Sequence, residues 1–182
     1  MPQTPIDRLI DSLAGAVARD AARLSVPDPS ALAAKMDALV REAVFGDPET
    51  KAAARWIIGE SAQALGIRPA SILELYRAEG RSDGPPRFTA PAINLRMLAY
   101  DAARAVFRAA RAIDAGAFIF EIARSEIGYT GQRPAEYTAA VLAAAIREGF
   151  RGPVFLQGDH FQISAKKYAA APDAEIKAIR DL

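Results

Sequence analysis

Short apolar runs alternate with longer amphipathic stretches from Phe88 to Leu182, and this alternation restricts the chain more than any other feature of it. Residues 88–95 (Phe-Thr-Ala-Pro-Ala-Ile-Asn-Leu), 117–122 (Ala-Phe-Ile-Phe-Glu-Ile) and 153–157 (Pro-Val-Phe-Leu-Gln) read as strands. They are mostly apolar, as strands covered on both faces are; Pro91 alone speaks against the first. Residues 98–114 place Ala102, Val106, Ala109 and Ile113 at helical spacing, and residues 134–148 form a second helix stopped by Gly149. Pro172 opens a third helix that the pattern continues to Leu182. Strand, helix, strand, helix, strand, helix implies a parallel sheet with right-handed crossovers.

Residues 1–80 follow another pattern and read as helices only. Thr4 can cap a helix starting at Pro5, with Ile6, Leu9, Ile10, Leu13 and Val17 on one face. After the break at Pro27-Asp-Pro-Ser30, a second helix carries Leu32, Met36, Leu39, Val40 and Ala43 on its apolar side and ends at Gly46. Asp47 caps a third, which faces Trp56, Ile57 and Leu65 inward and stops at Gly66. A short fourth covers residues 71–79. These stripes are core packing by their spacing. The chain thus divides into a helical segment at 1–80, a turn-rich linker at 81–87 and an α/β portion at 88–182.

The balance of 23 basic and 22 acidic residues leaves a net charge of +1, which gives no field for nucleic acid or a membrane surface. No stretch has the length of a signal peptide core or a membrane span. With no cysteine, disulfides and thiolate metal sites are excluded, and a reducing cytoplasm is the expected compartment. His160 is the single histidine.

In parallel α/β folds, ligands bind beyond the carboxyl ends of the strands. The first strand ends at Asn94, with Arg96 just beyond. The second ends around Glu121, followed by Arg124-Ser-Glu126 and Ile127-Gly-Tyr-Thr-Gly131. The third ends in Gln157-Gly-Asp-His160. Core strands do not need polar groups at all three ends. A neutral imidazole at His160 can bind a metal. Asp159 can work as acid or base on a hydroxyl, but as its strand neighbour it should point to the opposite face. Gly158 lets backbone approach a ligand closely. From spacing alone, Asp-His after a strand also reads as a surface turn or a capped helix start.

Three segments, in order, carry a family likeness: Phe88-Thr-Ala-Pro-Ala-Ile-Asn94, Ala123-Arg-Ser-Glu-Ile-Gly-Tyr-Thr-Gly131 with Arg133-Pro-Ala-Glu-Tyr137, and Gly152-Pro-Val-Phe-Leu-Gln-Gly-Asp-His160. Together they resemble the class II, metal-dependent sugar-bisphosphate aldolases, closest to the tagatose-bisphosphate aldolase group and its non-catalytic subunit. The likeness covers residues 88–182. It implies an incomplete TIM-type (β/α) barrel, its first three βα units preceded by the helical segment. His160 would bind a divalent metal, zinc foremost. Asp159 would be the catalytic proton shuttle at the hydroxyl next to the cleaved bond. Asn94 would lie at the substrate, where position at the strand ends also puts Glu121 and Gly158.

The resemblance thus implies a lyase of carbohydrate metabolism acting on a phosphorylated ketose, with a homo-oligomer or an aldolase partner subunit as protein partners. The alternatives are a metal-dependent sugar-acid epimerase or isomerase and a non-catalytic partner subunit. The sequence departs from the family twice. Ala123 stands where active members often have serine, and His160 stands where they draw several histidines from different strands. A barrel takes roughly 200–250 residues or more, and three strands cannot close one. The expectation is therefore an N-terminal portion of a barrel, inactive alone, with an unpaired edge on its third strand. Lys166 and Lys167 read as solvated loop residues.

Overall fold

A computed structural model describes residues 3–20, 23–81 and 88–182. The elements are, in chain order, α1 (Pro5–Ser12), β1 (Ala18–Asp20), β2 (Arg23–Ser25), α2 (Pro29–Phe45), α3 (Pro48–Ala64), β3 (Ile67–Ala70), α4 (Leu73–Arg81), β4 (Ala92–Asn94), α5 (Ala99–Ala112), β5 (Ile119–Ala123), α6 (Arg124–Thr130), α7 (Pro134–Arg147), β6 (Gly152–Asp159), α8 (Ala165–Ala170) and α9 (Pro172–Arg180). Four parallel strands form one sheet in the order β3-β6-β5-β4, and β1 and β2 form a small antiparallel pair. The linker turn expected at 81–87 falls almost wholly on residues 82–87, outside the described residues. No helix among the described residues is long and apolar enough to cross a membrane.

The front half is not helical throughout. α1 stops at Ser12, because Ala14 and Gly15 both take positive φ and turn the chain into the β1–β2 pair. Val17, read as helical, is buried outside any helix. Gly66, at φ 75°, ends the turn after α3 and delivers Ile67–Ala70 as β3. A four-residue strand containing Pro69 carries little periodicity, and only its partner makes it one. β3 pairs with β6 from Ile67↔Gly152 to Ala70↔Phe155. The expected free edge of the third strand is thus covered over its first half. Edge position explains the tolerance of Pro69.

The caps follow elementary rules. Thr4, Asp28 and Asp47 each accept backbone N–H groups in the first turn of the helix they precede, with proline at the first helical position. α2 buries Leu32, Met36, Leu39, Val40 and Ala43, as its spacing requires. α5 is rotated from its expected face. It buries Ala99, Ala103, Phe107 and Ala110, while Ile113 is 76% exposed. One aromatic decides this: Phe107 packs on Phe118, Phe120 and Phe150 at centroid separations of 4.9–5.7 Å, which outweighs the stripe of Ala102, Val106, Ala109 and Ile113. The first strand shortens to Ala92–Asn94 and the fourth helix shifts to Leu73–Arg81. α9 closes at Arg180, where the Asp181 N–H bonds Lys177, rather than running to Leu182. Lys166 and Lys167 are exposed, but on α8.

Strand parity sorts the core into two apolar clusters. Ile67, Phe120, Ile122 and Val154, with Ile93 and Leu156 at its margin, join residues of α2, α3, α5 and α7 in the larger one. Ile119 and Phe155, on the opposite face, meet Ile72 and Leu75 at α4 in the smaller one. The connections explain the division. From β4 to β5 to β6 the chain steps one way across the sheet, whereas from β3 to β4 it steps back over both intervening strands. A right-handed crossover in the reverse direction lies on the other face, which is where α4 sits.

Candidate functional site

The register lines up Asn94, Glu121 and Gln157 in one row across β4, β5 and β6, with Ala123 and Asp159 side by side one step further along. Side chains two apart share a face. All these residues therefore lie on the α4 side of the sheet, toward its carboxyl end and beyond the reach of Ile72 and Leu75. An apolar floor at one end of that face gives way to amides and carboxylates at the other.

Asn94 and Asp159 meet. The Asn94 amide donates to Asp159 Oδ2 at 3.1 Å and makes longer contacts, 3.4 and 3.5 Å, with the Glu126 carboxylate. Glu126 stands on α6, just after β5, and reaches back to accept the Ala123 N–H at 2.9 Å. This is the carboxylate half of a capping box. It also accepts from Arg96 Nε at 2.5 Å. Burial works against its charge, but the Ala123 N–H, Arg96 and Asn94 outweigh it and hold the carboxyl below its ordinary range. The same pairing raises the Arg96 guanidinium. Glu121 is buried, with its carboxylate bonded to Gln157 and its carbonyl accepting from the Tyr137 hydroxyl at 2.8 Å.

His160 departs from simple strand alternation. Its φ of 52° is left-handed, so β6 ends at Asp159 and the imidazole turns back. Nε2 lies 3.3 Å from Asp159 Oδ1, and the two side chains share one side after all. The ring is 73% exposed. Leu98, just past the end of β4, is left-handed as well at φ 52°. For residues other than glycine this conformation costs about 1–2 kcal/mol, and strain of this kind gathers at functional edges.

At Gly158 an added Cβ would lie 2.8 Å from the Phe161 ring, so the bare backbone makes room for Phe161. Phe161 begins a loop that is tied down through Glu175. That carboxylate accepts from Arg124 at 2.6 and 3.2 Å and from the Ser164 N–H at 2.8 Å, while Arg124 also donates to the Gln162 carbonyl. Arg124 foremost, then the Ser164 N–H, holds Glu175 down at about 2.

Asn94, Asp159 and His160 are thus brought together, Glu121 lies in the same row with its carboxylate on Gln157, and Gly158 faces the other way. Sequence reasoning named Glu126, Gln157 and Arg96 at the strand ends but gave them no role. A glutamate three residues after a strand that runs straight into a helix is the capping signal that singles out Glu126. A resident zinc asks for three or four donors. Asp159 and His160 supply two, Glu126 is committed to three donors of its own, and no group of three His, Cys, Asp or Glu able to hold a metal exists among the described residues. The donor set does not fit a resident zinc. Comparison with protein-family models, with curated proteins and with solved structures finds no match for this chain.

Proposed function

We propose that the chain is a class II aldolase-like protein of carbohydrate metabolism that binds a ketose-type sugar at the carboxyl end of its sheet and, by itself, binds without cleaving. The observation that carries the reading is the 3.1 Å hydrogen bond between Asn94 and Asp159, which joins two of the residues the resemblance assigns to one site, from strands separated by β5. The consecutive, parallel order β4-β5-β6 supports it as the order of the first three units of a (β/α) barrel.

In a retro-aldol reaction, a base removes the proton of the hydroxyl next to the bond that breaks. The bond's electron pair passes to the ketone fragment as an enediolate, and the other fragment leaves as an aldehyde. Asp159 is the base, and Asn94 fixes its orientation by donating to Oδ2. Family members use a metal to take up the enediolate charge. Asp159 and His160 are the two donors that the described residues bring together toward one, which favours the non-catalytic partner subunit over the lyase and over a sugar-acid epimerase.

The test is an NMR titration of the purified chain with dihydroxyacetone. Asp159→Asn is expected to weaken binding about tenfold or more, the scale of one hydrogen bond to a charged group. Unchanged affinity would sink the reading. Zinc is expected to bind more weakly than micromolar and to produce no turnover. Micromolar affinity that disappears in His160→Ala would restore the lyase.

A further inference from the structure

Beyond Asn94 the sheet edge opens into a cleft of about 360 Å³ between the β4–α5 connection and α6. Arg96, Met97 and Leu98 form one wall, and Tyr129 and Gln132 the other. Arg96 is 64% exposed, whereas the carboxylate it leans on, Glu126, is 5% exposed. That contact uses Nε alone, and Nη1 and Nη2 donate to none of the described residues. A guanidinium fixed through Nε and free at its fork is set to grip an oxyanion with two parallel hydrogen bonds. The acids around it are already satisfied. Glu136 on the rim accepts from Arg55 at 2.7 Å, and Glu126 is matched by Arg96, Asn94 and the Ala123 N–H. Met97, Leu98 and Tyr129 are 76%, 75% and 65% exposed, a run of apolar surface for which the fold itself has no use. The strained backbone at Leu98 sets the chain's direction at the lip of the cleft.

We infer that this cleft is an oxyanion subsite in which the Arg96 fork holds a phosphate monoester or carboxylate while Tyr129, Met97 and Leu98 flank the ligand's carbon skeleton. Arg96, Glu126, Asn94 and Asp159 form one unbroken chain of contacts. A sugar carrying an anionic group at one end and hydroxyls at the other spans it. The identification of the ligand as a sugar rests on the reading above; the anion subsite does not.

The full chain is titrated with inorganic phosphate, dihydroxyacetone phosphate, dihydroxyacetone and glucuronate, in the wild type, Arg96→Met, Arg96→Lys and Asp159→Asn. Arg96→Met is expected to weaken dihydroxyacetone phosphate at least tenfold more than it weakens dihydroxyacetone. Arg96→Lys, which keeps the charge and loses the fork, falls between. Inorganic phosphate should still bind Asp159→Asn. Preference for dihydroxyacetone phosphate or for glucuronate, each lost with Arg96, supports the subsite and identifies the anion. Equal affinity of wild type and both Arg96 variants for both anionic ligands overturns it. Loss of dihydroxyacetone binding in Asp159→Asn alone would then leave the sugar reading standing without the subsite, and the reverse pattern would leave the subsite standing without the sugar.

Discussion

The two faces of the sheet are built on different principles. One meets α2, α3, α5 and α7 through aliphatic side chains and four phenylalanine rings, and the Tyr137 hydroxyl there bonds the Glu121 carbonyl. The other has a small apolar floor under α4, then a row of amides and carboxylates held by one another. Burial area stabilises the first, at roughly 25 cal/mol per Å². Charge and hydrogen-bond geometry organise the second, where the net gain per interaction is small but the orientation is defined. Stability and binding are therefore expected to respond to different substitutions.

The largest effect belongs to the helix-covered face. Phe107→Ala is expected to cost about 3–5 kcal/mol in urea unfolding, since it empties a fully buried site against three rings. A loss below about 1 kcal/mol would erase the contrast between the faces. Acid should separate them next. Glu175 is ordinary at 4.5 when unfolded and about 2 when folded, so its stabilising contribution is complete above 4.5 and lost as pH falls toward 2. Glu175→Gln is expected to be less stable than the wild type at pH 7 and to lose the part of the acid response that falls between pH 4.5 and 2. Parallel unfolding curves for the two proteins across that window would show that the ion pair does not anchor the loop. The smallest effect is at the strained edge. Leu98→Gly relieves a left-handed residue that is 75% exposed, and should stabilise the chain by about 0.5–1 kcal/mol in the same urea assay.

The same contrast governed what could be read from sequence. The helix-covered face was legible where one face of a helix repeats: α2's five buried residues are those its spacing picks out. It failed on α5, where a single Phe107 outweighed the line of Ala102, Val106, Ala109 and Ile113 and rotated the helix. β3 was invisible because four residues with an internal proline have no period, and its partner lies far along the chain. On the polar face, Asn94, Asp159 and His160 were marked by position at the strand ends. Their contact was not, because alternation sends neighbours apart and only a left-handed turn at His160 reverses it. At Gly158 the sequence shows that space is left and not that Phe161 fills it.

The pairing of β3 with β6 also sets an order of events. As the chain emerges from its amino terminus, Ile67–Ala70 comes out well before β6, its strand neighbour among the described residues. The helices of the front half can associate at once, but the edge strand must wait for nearly all the rest of the sequence. Closing so long a loop is slow. The pairing of β3 therefore depends on the second half of the chain.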